Sequence, residues 1–180
     1  MSVTEDRKRT KYIRRALLGA LVFMTAMVQN VPWLPDILGA RALPLLPLVV
    51  SIAILDQPVP AIVFGAFAGI LWDFSVSGHG LHALYLTTVA FTCAMLLRYI
   101  LNRNALTVFI LSFFSSYTYI FLRWSFDYNL TGPSGNVLRP LLRYSLPSLA
   151  YTLLLLPACY ALARLIVRKT SRRPRGVLAE

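Results

Sequence analysis

Apolar residues along the chain gather into six runs, near residues 16–31, 38–55, 58–74, 81–101, 105–124 and 144–167. A membrane-spanning helix needs about 17–25 predominantly apolar residues. The runs therefore predict an all-α, polytopic membrane bundle of about six transmembrane helices. Tyr12 and Trp33 suit the two interfaces of the first run. The second run is interrupted by Arg41, Pro44 and Pro47. The third follows it after only Asp56, Gln57, Pro58, Val59 and Pro60, which read as a tight turn between two spans. A re-entrant hairpin is the rival reading of these two runs. In either case the chain crosses an even number of times and its termini share a side. The sixth run holds Pro147 and Pro157, each of which removes a helix hydrogen-bond donor.

Composition agrees with this pattern. Of the 180 residues, 57% are hydrophobic and 14% charged, against about 25% charged in an ordinary soluble domain. The organisation expected is a basic tail (1–15), a six-helix transmembrane domain (16–167) and a second basic tail (168–180). The first apolar run is followed by Gln29, Asn30, Val31 and Pro32, with no small-x-small cleavage site, so it is expected to stay as a span.

The net charge of +11 is concentrated at the two ends. Arg7, Lys8, Arg9, Lys11, Arg14 and Arg15 form one block; Arg164, Arg168, Lys169, Arg172, Arg173 and Arg175 form the other. With both termini in the cytoplasm, only Arg41, Arg123, Arg139 and Arg143 of the 18 basic residues fall outside. That is the bias of the positive-inside rule. The basic ends are read as orienting the chain in the plasma membrane and meeting anionic lipid, not nucleic acid.

Polar residues inside the runs are the candidates for chemistry. Ala61, Gly65, Gly69 and Asp73 recur every four residues on the third helix. Small residues at that spacing let another helix approach the backbone closely, so the row is expected to pack a helix or bind a partner. Asp73 ends the row beside the outer turn, where an intramembrane carboxylate calls for a partner; His82 and Arg123 lie at similar depth. Gly80 closes the turn before the helix that restarts at Leu81. Two polar stripes, Tyr85, Thr88, Thr92 and Ser112, Ser115, Ser116, Tyr119, Arg123, read as interhelical glue or as cavity lining.

No metal, cofactor or catalytic set is expected. His79 and His82 have no evident fourth ligand with Asp73, Cys93 and Cys159 lie alone in apolar runs, and neither a nucleophile elbow nor a phosphate loop occurs.

The run Gly65-Ala-Phe-Ala-Gly69-Ile-Leu-Trp-Asp73, followed by Gly80-Leu-His-Ala-Leu84, resembles the bacterial rod shape-determining protein MreD family. Ile70 stands where leucine is common there, and the turn lacks the Pro-Leu pair of many members. The resemblance implies a fold similar to the substrate-binding subunits of energy-coupling-factor vitamin transporters. It also implies a scaffold of the cell-elongation machinery, the elongasome, that supports lateral peptidoglycan synthesis. Such a scaffold would bind the transmembrane helix of MreC and link MreB filaments indirectly to RodA and a penicillin-binding transpeptidase. Gly65, Gly69 and Asp73 would be packing positions. The alternative is a vitamin-binding transporter subunit, with Ala16-x-x-x-Ala20 on the first helix facing a coupling subunit.

Overall fold

The computed structural model describes residues 3–30, 42–76, 81–101, 104–131 and 146–171. These form six helices: α1 Val3–Asn30, α2 Leu45–Leu55, α3 Pro58–Val76, α4 Leu81–Tyr99, α5 Ala105–Thr131 and α6 Leu146–Ser171. No strand occurs among the described residues.

The architecture is a ring around a core helix. α2 packs against all five other helices, which close in the order α1, α3, α4, α5, α6 and back to α1. The α3–α4 contact is the most extensive in the bundle, and α4 meets α5 only lightly. The sequence of α2, LLPLVVSIAIL, is apolar all round, and a helix of that kind belongs in an interior. Ten of its eleven residues are buried.

Prolines set where α2 and α3 begin. Pro44 precedes α2 and Pro47 sits in its first turn, where the missing N–H has no partner to lose. Pro58 opens α3 in the same way. The amides at the start of α2 are satisfied from neighbouring helices. Thr152 Oγ1 on α6 accepts the Leu43 N–H at 3.0 Å, and Gln29 Oε1 on α1 accepts the Leu45 N–H at 3.2 Å.

The six-span expectation changes in detail. Among the described residues, four helices are long and apolar enough to cross a membrane: α3, α4, α5 and α6. α2 has 11 residues, about 16 Å at 1.5 Å per residue, roughly half of a ~30 Å hydrocarbon core. The second run thus helps fill the bundle as a short inner helix, while α3 is of full span length. Residues 38–41 of that run lie outside the described residues. α1 extends through the expected basic tail, so Lys8 to Arg15 lie on a helix whose later face buries Leu18, Val22 and Ala26 at every fourth position. α6 continues through Pro157.

Large apolar side chains stand on the outward faces of the helices. Phe74 is 84% exposed, Val59 73%, Leu154 72% and Leu106 70%. A soluble protein rarely shows contiguous apolar surface of this extent; lipid accommodates it.

Among the described residues, one charged side chain is buried in the core. Asp56 caps the end of α2, and its side chain is fully buried. Arg14 of α1 reaches it, Nη2 to Oδ1, at 2.5 Å, and the Gln57 N–H donates to the same oxygen at 2.8 Å. Removing either partner leaves the other charge uncompensated, a loss of about 3–5 kcal/mol for a buried pair. Arg14→Ala is expected to destabilise more than Asp56→Ala, because Arg14 keeps some access to water and Asp56 has none. The double variant should recover part of the loss. Denaturation of the purified protein in detergent measures all three, and additive losses would remove the pair from the account.

Candidate functional site

The row on α3 and the start of α4 form one seam. Gly65 lies against Ala90 and the Leu86 carbonyl; a Cβ built there would come within 2.7 and 2.8 Å of them. At Gly69 a Cβ would run into the Ala83 Cα and lie 2.7 Å from the His82 carbonyl. Both neighbours are backbone, which cannot rotate away. Ala61 is buried in the same cluster as Cys93 and Leu97 of α4. The positions 61, 65 and 69 therefore pair with α4 in antiparallel register, and the groove is occupied by this chain's own helix.

That close approach delivers Asp73 to the N-terminus of α4. Its Oδ1 accepts the His82 N–H at 3.2 Å and its Oδ2 the Ala83 N–H at 2.9 Å. These are the second and third amides of α4, the donors an N-cap side chain would normally satisfy. Here the cap comes from another helix, and its negative charge meets the positive end of the α4 dipole.

The carboxylate also orients a histidine. Asp73 Oδ1 lies 2.7 Å from His82 Nδ1, and His82 Nε2 lies 3.0 Å from the Tyr119 hydroxyl on α5. A carboxylate only accepts, so Nδ1–H donates to it, and Nε2 shares the second hydrogen bond with the Tyr119 hydroxyl. Trp72 stacks on His82 with centroids 4.6 Å apart, and lies tilted against Tyr119 at 5.2 Å. Tyr85 packs on Tyr119 at 5.3 Å and donates its hydroxyl to the Ser115 carbonyl at 2.5 Å. The cluster ties α3, α4 and α5 at the end where α4 and α5 otherwise barely meet. A short link beside it, Asn30 Nδ2–H to Ser75 Oγ at 2.5 Å, joins α1 to α3.

The order carboxylate, imidazole, hydroxyl is that of a nucleophile triad. Tyr119, however, is buried, 6% exposed, with its ring against those of Trp72 and Tyr85. A nucleophile must reach a substrate, and this one faces protein. The arrangement fixes helices in place.

Of the sequence-derived candidates, Ala61, Gly65, Gly69, Asp73 and His82 come together in this seam. Asp73 takes its hydrogen bonds from α4, at His82 and Ala83, while Arg123 stands exposed on α5. Gly80 and His79 lie outside the described residues. The two polar stripes divide. Tyr85 and Tyr119 join the cluster, whereas Thr88 and Thr92 are exposed, Thr88 bonding its own Leu84 carbonyl. The Ser112, Ser115 and Ser116 hydroxyls are buried on α5 without a hydrogen-bond partner. Trp72 and the Arg14–Asp56 pair were missed by sequence reasoning. Trp72 adjoins the flagged Asp73, and Asp56 is the lone acid between two apolar runs; those signals were available.

Fold and seam together define a polytopic helical membrane protein in which the Asp73, His82 and Tyr119 cluster links α3, α4 and α5. The chain matches the family profile described as rod shape-determining protein MreD over residues 10–166, and it belongs to that family. No curated protein and no solved structure matches it, so the expected likeness to transporter substrate-binding subunits has no solved counterpart here.

The seam makes a contrast between glycines that is easily checked. Gly69→Ala is expected to cost about 3 kcal/mol, the upper part of the overpacking range, because backbone must shift. Gly19→Ala should be neutral or slightly stabilising, since its Cβ would meet Phe64 at an ordinary 3.6 Å and alanine favours helix. Asp73→Ala should cost about 1–2 kcal/mol for the lost cap. Thermal unfolding of the three purified variants gives the ranking, and equal effects at Gly19 and Gly69 would contradict the close approach.

Proposed function

We propose that this chain acts in rod-shape determination as an integral membrane scaffold of the elongation machinery. In this reading it binds the transmembrane helix of MreC and connects MreB filaments indirectly to RodA and a penicillin-binding transpeptidase. It does so without catalysing a reaction. It sits in the inner membrane with both termini in the cytoplasm, its basic end against anionic headgroups.

The family match across residues 10–166 carries the shape-determining role. The geometry supports the scaffold reading of it. The Asp73, His82 and Tyr119 chain is spent on holding three helices together, and the lipid-facing surfaces of α3 to α6 are apolar faces on which a partner helix could lie. The concentration of basic residues on early α1 and late α6 supports cytoplasmic termini.

Depletion of the gene in a rod-shaped host, followed by microscopy, is the decisive experiment. Depleted cells should round up, and vitamin supplementation should not restore them. Crosslinking from lipid-facing positions of α5 should capture MreC. Rods that persist but require a vitamin would overturn the scaffold in favour of a transporter subunit. Asp73→Asn, which keeps one accepting oxygen, should preserve shape better than Asp73→Ala at matched membrane levels.

A further inference from the structure

α5 turns a ladder of large side chains away from the bundle. Ile110, Phe113, Tyr117 and Phe121 are exposed, at steps of three or four residues. The rings of Phe113, Tyr117 and Phe121 lie nearly parallel, with interplanar angles of 9° and 16° and centroids 6.4 and 6.5 Å apart. The middle ring carries a hydroxyl. Tyr117 is 53% exposed, and among the described residues its hydroxyl has no hydrogen-bond partner.

Depth makes that hydroxyl unusual. The α5 span Ala105–Ser125 has 21 residues, so its centre falls at Ser115. Tyr117 stands about 3 Å beyond that centre, at 1.5 Å per residue. Helical side chains lean toward the N-terminus, which returns the hydroxyl toward the middle. The nearer end of the span is about 12 Å away, farther than a phenol reaches. Tyrosine on a membrane helix favours the interface, where its hydroxyl is wet. At mid-depth there is no water, and an unmet O–H is costly. The exposed Thr88 on α4 avoids this by donating to its own Leu84 carbonyl at 2.8 Å. Tyr117, with its hydroxyl at the far end of a rigid ring, has no such local acceptor.

A phenol both donates and accepts, so a second phenol at the same depth completes it. Two copies of one membrane protein share an orientation. Their α5 helices therefore run parallel about a two-fold axis along the membrane normal, and each residue meets its own counterpart. Steps of three and four residues keep a row on the contact line of two parallel helices. A different protein would have to bring an acceptor to this depth; a second copy brings one by symmetry.

We propose that this face of α5 binds a second copy of the chain, with the two Tyr117 hydroxyls hydrogen-bonded to each other at mid-membrane and the Phe113 and Phe121 rings packed on either side. Aromatic rings suit the offset and edge contacts of such a pairing. Phe114, Thr118 and Leu122 continue the exposed surface to one side, which leaves room for a partner of another kind.

The test uses the full chain in lipid bilayers, with the fraction of dimer read by single-molecule photobleaching as protein density is varied. The wild type should pass from monomer to dimer. Tyr117→Phe removes one oxygen from an exposed side chain and should fold normally, as thermal unfolding checks. It should weaken dimerisation about threefold, the ratio given by ~0.6 kcal/mol for an interhelical hydrogen bond. Thr88→Val, at a hydroxyl already satisfied, should leave dimerisation unchanged. Oxidative crosslinking of single cysteines in the same membranes reads the position, with the buried Cys93 and Cys159 as background. Phe113→Cys and Phe121→Cys should link two copies, and Val63→Cys on the exposed face of α3 should not. A chain that stays monomeric at every density overturns the proposal, even if another membrane protein is captured from α5. So does a dimer that Tyr117→Phe leaves unweakened, or one that links through Val63→Cys and not through Phe113→Cys.

Discussion

The backbone approach of α4 to α3 at Gly65 and Gly69 is the constraint on which the rest of this bundle depends. In lipid, apolar side chains gain little by leaving the tails for one another. Helices associate by packing and by polar contacts, and both demand proximity. At Gly69 the facing surface is the α4 backbone itself, at Ala83 and His82. That contact fixes the height of α4 to within a fraction of a turn. The fixed height puts the His82 and Ala83 amides on Asp73, and it puts the imidazole between Asp73 and Tyr119. A slip of one residue along α4, about 1.5 Å with a rotation near 100°, would break every member of that chain.

The opposite end is organised by charge. α2 is apolar on all sides, so hydrophobicity gives it no preferred rotation. Its ends supply the orientation. Gln29 and Thr152 hold the amides of its start, and Asp56, held by Arg14, marks its finish. A buried ion pair adds little net stability. What it does here is specify which face of α1 meets the α2–α3 turn. The basic block on early α1 therefore has two roles: Arg14 faces inward to the acid, while Lys8, Arg9 and Lys11 are exposed.

The α3 row was legible in the sequence because glycine at four-residue spacing on a membrane helix has few other physical meanings. Its pairing with α4 was legible too, since Asp73 and His82 flank a short turn. The central place of α2 was not. A run broken by Pro44 and Pro47 reads by length as a poor span, and periodicity cannot say that an all-apolar helix sits at the centre of a ring rather than facing lipid. Arg14 was hidden by its neighbours. In a block of six basic residues nothing local distinguishes the one that turns inward; only its distant partner, Asp56, does. Depth along the membrane normal does not fix azimuth around the bundle, so the sequence could only offer His82 and Arg123 together for Asp73, and His82 bonds it.

These contacts bear on how a loss of cell shape should be interpreted in this family. A substitution at Gly69 or Asp73 acts first on the α3–α4 seam, and any partner surface is affected through the displaced helix. Such a phenotype therefore reports on the integrity of the fold. A substitution on the lipid-facing side of α5 leaves the seam and the Arg14–Asp56 pair in place. A shape defect at those positions, with the protein present and folded, reports on what the bundle touches. The division follows from where the polar groups are spent. Those that hold the helices together lie inside, and the outer faces of α3 to α6 carry the large exposed apolar side chains.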